Sequence, residues 1–171
     1  MTALQFAFGF QDINSGGLCH IKDAEIVTQK VTLPISVSAE HRFTLPTEKA
    51  LKQARAVVKI NLIGQANQCD MSVQLETKPE FLKIDYSHDE LIDLFTQYQT
   101  FFSQMGGFMS FLMPDVSGLR LFFGEVIPDP TELPTDLTVS GQQLVINKDW
   151  LLKGEDLPLG IAPYRITAVT Q

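Results

Sequence analysis

Apolar and polar positions along residues 87–126 spell out a helix, a glycine stop, a strand, a turn and a second strand. Ser87 followed three positions later by Glu90 is the signature of a capping box, in which each side chain accepts from the other residue's backbone N–H. Leu91, Leu94, Phe95, Tyr98, Phe101, Phe102 and Met105 then recur at helical spacing, so a long amphipathic helix with one broad apolar stripe is expected over about 88–105. Gly106-Gly107 supplies the stop, because glycine enters the left-handed conformation without a Cβ penalty. Phe108–Met113 and Leu119–Val126 read as two strands around the turn-forming run Pro114-Asp115-Val116-Ser117-Gly118.

The rest of the chain alternates with period two. Leu4, Phe6, Phe8 and Phe10 give an opening strand with one greasy face, and residues 12–17 are a loop by composition. A weakly patterned strand follows over 18–27. Val31, Leu33, Ile35 and Val37 alternate around Pro34, which places that strand at an edge or a bulge because proline cannot donate to a ladder. Thr47 can cap a short helix reaching about Ala54, followed by a strand to Ile63 and, after a turn over 64–70, by a strand through Met71, Val73 and Leu75. Residues 127–136 hold three prolines and three acids and read as a stiff exposed loop. A hairpin is expected around Ser140-Gly141, a proline- and glycine-rich connection over 154–163, and a last strand through Tyr164, Ile166 and Ala168. The sum is an α+β chain, mostly β. Nine or ten short strands would form an antiparallel split β-barrel or sandwich with the long helix packed on it. A single domain over 1–171 fits the length.

Composition changes this picture little. A 44% hydrophobic fraction suits a packed domain, and no run approaches the ~20 apolar residues of a membrane span. The first residues lack a charged leader and an apolar block, so no secretory signal is expected and Cys19 and Cys69 are expected to be reduced, with pairing as the alternative. Charge says more. Residues 1–85 carry nine basic and nine acidic side chains, whereas residues 86–171 carry four and eleven. The whole excess of −7 lies in the second half, which disfavours grip on a nucleic-acid backbone or an anionic membrane.

Candidate chemistry is sparse. Cys19, His20, His41, Cys69 and His88 lack the close pairs of a structural zinc site, and neither a metal nor a cofactor is expected. Asp85, Asp89 and Asp93 repeat every four residues beside Glu90. They could hold a hard cation or act as an acid–base pair, but carboxylates in a first helical turn are favoured by the helix dipole alone. Nucleophile elbows and phosphate loops are missing, so no catalytic residue is assigned. Lys49, Lys52, Arg55 and Lys59 would share one helix face as a basic cluster able to dock an acidic partner, including the acidic half of a neighbouring copy. Asp129, Glu132 and Asp136 of the proline-rich loop are the acidic counterparts.

The order helix, Gly106-Gly107, Phe108-Met109-Ser110-Phe111, Pro114-Asp115 and strand resembles a pattern in the minor and distal tail proteins and tail tubes of bacteriophages. The resemblance covers about forty residues, Ser87 to Val126. It implies a non-enzymatic structural protein, with a virion tail as its location or the host cytoplasm during assembly. Its partners would be copies of itself in a ring or tube and neighbouring tail proteins. Split charge would let one face meet a neighbour's opposite face, an inward acidic surface would let DNA slide, and the loops at 127–136 and 154–163 would reach adjacent subunits. Two other classes compete. One is a small binding module or enzyme with a pocket lined by Phe101, Phe108, Phe111 and Phe122. The other is an adapter or inhibitor that binds one partner through its acidic half.

Overall fold

The long helix forms where its spacing requires it. In the computed structural model, which describes residues 2–46, 49–106 and 115–171, helix α2 spans His88–Gly106. Ser87 N donates to Glu90 Oε2 at 3.0 Å and Glu90 N donates to Ser87 Oγ at 3.3 Å, the reciprocal pair of a capping box. Leu91, Leu94, Phe95 and Tyr98 are buried and Phe101 and Phe102 pack against the same core, but Met105 is 62% exposed. The apolar stripe therefore ends one turn earlier than its spacing suggested. The strand expected over Phe108–Met113 falls outside the described residues.

The chain is α+β and mostly strand, with antiparallel pairing throughout the recorded registers and no sheet closed into a barrel among the described residues. The residues group into two compact units, unit 1 (1–5 and 75–171) and unit 2 (6–74). Strands β1 (Leu4–Asp12) and β5 (Cys69–Thr77) pair with each other, and each contributes to both units.

Unit 1 holds α2, strands β6 (Asp85–Tyr86), β7 (Val116–Phe122), β8 (Val139–Ser140), β9 (Gln143–Asn147), β10 (Leu157–Pro158) and β11 (Arg165–Thr170), and a one-turn helix α3 (Lys148–Leu151). Its four-stranded sheet runs β11-β7-β9-β8. Leu119 and Leu121 of β7, Leu144 and Ile146 of β9 and Ile166 of β11 are fully buried, in one cluster with the α2 stripe. Burying each such side chain stabilises by roughly 1.5–3 kcal/mol. Tyr98 brings a hydroxyl into this core and satisfies it by donating to the Ile166 carbonyl at 2.7 Å. Strand β7 starts at Val116 and stops at Phe122, earlier at both ends than expected. Gly118, expected in a turn, lies inside the strand, where a Cβ would sit 2.2 Å from the Ile146 carbonyl oxygen. Helix α3 was not expected at all; Asn147 caps it by accepting from Trp150 N at 2.8 Å.

Unit 2 is built on a three-stranded sheet, β3 (Thr32–Pro34), β2 (Ile21–Val27) and β4 (Val57–Leu62), with a five-residue helix α1 (Lys49–Gln53) before β4. Pro34 sits in the edge strand β3, as its missing N–H demands. Thr47, the expected cap of α1, lies outside the described residues. Its buried cluster among the described residues is small, Ile21, Ala24 and Phe43, with Phe8, Phe10, Ile35 and Ile60 among those packed around it, and Ala7, Cys19 and Ile26 are buried besides. Cys19 and Cys69 are joined in a disulfide across fifty residues, which corrects the expectation of reduced thiols. That expectation rested on the apparent lack of a leader, whereas the fold sets their Cα atoms 6.4 Å apart, within bonding range.

Candidate functional site

Two places concentrate chemistry, one in each unit. In unit 1 the start of α2 borders an open groove of 310 Å³ lined by Phe81, Lys83, Tyr86, Asp89, Glu90 and Asp93. Tyr86 is held by two bonds of its hydroxyl, which donates to the Phe81 carbonyl at 3.0 Å and accepts from Lys83 N at 2.8 Å. Burial pushes its pKa up to about 12, so the phenol stays protonated near neutrality. The Lys83 ammonium bonds Glu90 and, with the Ser87 N–H, holds that carboxyl below its ordinary range.

The carboxylates considered for a cation or an acid–base pair take separate places. Asp85 Oδ1 accepts from Leu159 N at 3.0 Å and Gly160 N at 3.3 Å. Asp93 accepts from Gln97 Nε2 at 2.7 Å, and Asp156 accepts from His88 N at 2.8 Å. Asp89 is exposed beside His88 Nδ1 at 3.5 Å. Among the described residues no three His, Cys, Asp or Glu side chains are grouped to hold a metal. His20 and His41 stack at 4.2 Å, with His41 Nδ1 accepting from Ile21 N, and the two cysteines are spent on each other. Of the suggested phenylalanine pocket, only Phe101 and Phe122 lie among the described residues. Phe101 packs on the core, whereas Phe122 alternates with the buried Leu121 and lies under the Arg165 guanidinium at 3.9 Å. Phe108 and Phe111 lie outside the described residues.

The second place is the surface of unit 2. Large apolar side chains stand exposed there at Phe6, Leu33, Val57, Ile63, Met71 and Val73 among others, Met71 at 70%. Lys49 and Lys52 belong to α1, Arg55 follows it with a left-handed φ of 49°, and Lys59 lies on β4 facing Glu25 at 3.9 Å. The four cations thus come from helix, turn and strand, because α1 ends at Gln53. No acidic residue occurs from 49 to 69.

The acidic loop of unit 1 holds Asp129, Glu132 and Asp136. Asp129 Oδ1 accepts from Thr131 N and Oγ1, and both bonds lower its pKa. Asp136 accepts from Trp150 Nε1 at 3.1 Å and pairs with Lys153, whose bond is the main reason its pKa is lowered. Glu132 is exposed. The spacing of residues gave no sign of the Asp136–Trp150–Lys153 group, since its partners are 14 and 17 positions away on an unpredicted helix turn and its exit.

No curated protein and no solved structure matches the chain. A family model described as "Protein of unknown function (DUF2987)" matches residues 1–123, more than half of the chain. The protein belongs to the DUF2987 family.

Proposed function

We propose that the protein is a non-enzymatic structural protein that associates with itself into a ring or tube, of the kind found in phage and phage-like tails, on a split-barrel or sandwich framework of short strands. The observation that carries this reading is the apolar surface of unit 2. Among its described residues that unit buries six apolar side chains, two of them alanines, and leaves nine large aliphatic and aromatic ones exposed. Where exposed apolar side chains adjoin, they mark an interaction face. The groove beside α2 adds support, because its phenol is held protonated and its glutamate is engaged with Lys83, so neither is poised for proton transfer near neutrality. The Cys19–Cys69 bond suits an oxidising setting such as a virion surface.

The test is light scattering of the purified full chain over a range of concentrations, with negative-stain imaging. Masses several times 19.1 kDa and ring or tube particles are expected. A chain that stays monomeric at high concentration overturns the reading. In that event the adapter reading takes its place, on the net charge of −8 carried by unit 1.

A further inference from the structure

We infer that copies of this chain dock head to tail, the basic strip 49–63 of unit 2 in one copy meeting the acidic loop 125–136 of unit 1 in the next. The inference rests on the self-association proposed above and names its two faces.

Charge is segregated by unit. Unit 2 carries a net +1 and unit 1 a net −8. Residues 49–69 hold four cations and no acid, and residues 121–147 hold four acids and no cation. Lys59 is partly spent on Glu25 and Asp136 on Lys153, which leaves three of each sign. No ion pair among the described residues engages Lys49, Lys52 or Arg55, nor Glu125, Asp129 or Glu132. Both strips also present bare aliphatic surface. Val57, Val58 and Ile63 stand exposed in the first, and Val126 and Ile127 in the second. Exposed pairs alone contribute little, but aliphatic contact supplies the attraction and charge supplies the register.

The acidic loop is already shaped for docking. Pro128 and Leu133 are buried anchors, Asp129 closes its turn on Thr131, and Leu137 N donates to the Pro134 carbonyl at 2.9 Å. Three prolines restrict the backbone, so little conformational entropy remains to be lost on binding. The two faces are different patches on one chain. Such a contact is heterologous, and it closes into a ring or continues as a filament.

Sedimentation velocity on the full chain tests this with two charge reversals, K52E/R55E and E125K/E132K, each checked for wild-type helicity by circular dichroism. Wild type should assemble, with an apparent affinity ~10-fold weaker in about 500 mM than in about 50 mM salt, because exposed charges are screened over a few ångströms there. Each reversed variant alone should be monomeric, and an equimolar mixture of the two should assemble again. Assembly of either variant at wild-type strength, or a mixture that stays monomeric while wild type assembles, overturns the inference and leaves the self-association reading standing. A wild-type chain that never assembles overturns both.

Discussion

At Gly118 the two strands come so close that a Cβ would have to occupy the space of the Ile146 carbonyl oxygen, 2.2 Å away. The obstacle is backbone inside a hydrogen-bonded ladder, so it cannot swing aside as a flexible side chain would. Gly118→Ala should therefore cost at least ~2 kcal/mol, read as a lower urea midpoint, through the strain of overpacking. A midpoint unchanged from wild type would show that β7 and β9 lie further apart. Tyr98 gives a second residue-scale expectation. Its hydroxyl donates to the Ile166 carbonyl and lies 3.1 Å from Thr77 Oγ1, both in buried surroundings. Burial also drives the phenol's pKa upward, so no ionised form competes near neutrality. Tyr98→Phe keeps the ring and removes both partners' bond, and should cost about 1–3 kcal/mol.

Helix α2 shows how far local signals reach. Its start, its length and the first four residues of its buried stripe were legible, because capping chemistry and 3.6-residue spacing are properties of the segment alone. Met105 was misplaced because nothing local says where the sheet beneath the helix ends. Gly118 was read as a turn because a glycine needed for close approach looks the same in sequence as one needed for a bend. Helix α3 escaped notice because four residues leave no period to read; it exists through the Asn147 cap and the burial of Trp150 and Leu151. For the residues suggested as an interface the sequence misjudged the local placement, since Lys59 belongs to a strand and Asp136 to a bonded group. The capping box supports two measurements. Ser87→Ala should lower stability by about 1 kcal/mol. Glu90 has a carboxyl pKa lowered in the fold from 4.5, so its contribution is fully present above that value and is lost as pH falls through the folded one. The melting-temperature gap between wild type and Glu90→Gln should therefore be constant from neutrality to about pH 5 and shrink as pH falls through the folded pKa; a gap that shows no pH dependence at all on acidification would assign the effect to something other than the carboxylate.

Taken over its full length, the chain divides its means of stabilisation unevenly. Unit 1 rests on a large apolar cluster that joins α2, β7, β9 and β11, whereas unit 2 has a small cluster around Ile21, Ala24 and Phe43 and closes a fifty-residue span with one disulfide. A bond closing a loop of that length removes denatured-state entropy worth about 4 kcal/mol, comparable with burying two large side chains. Reduction should thus act on one unit far more than on the other. Hydrogen exchange followed by mass spectrometry reads this directly, because protection reports local opening free energies. In the oxidised chain, peptides from α2, β7 and β9 should be the slowest to exchange and those from β2 and β4 faster. Adding a reductant should speed exchange in β2 and β4 by two orders of magnitude or more, since every ~1.4 kcal/mol is tenfold, while the α2 and β7 peptides keep their rates. Unchanged β2 and β4 rates on reduction would mean that apolar contacts already hold unit 2 without the bond. The Cys19→Ala/Cys69→Ala variant separates the two cases, because it should reproduce the reduced pattern with no reductant present.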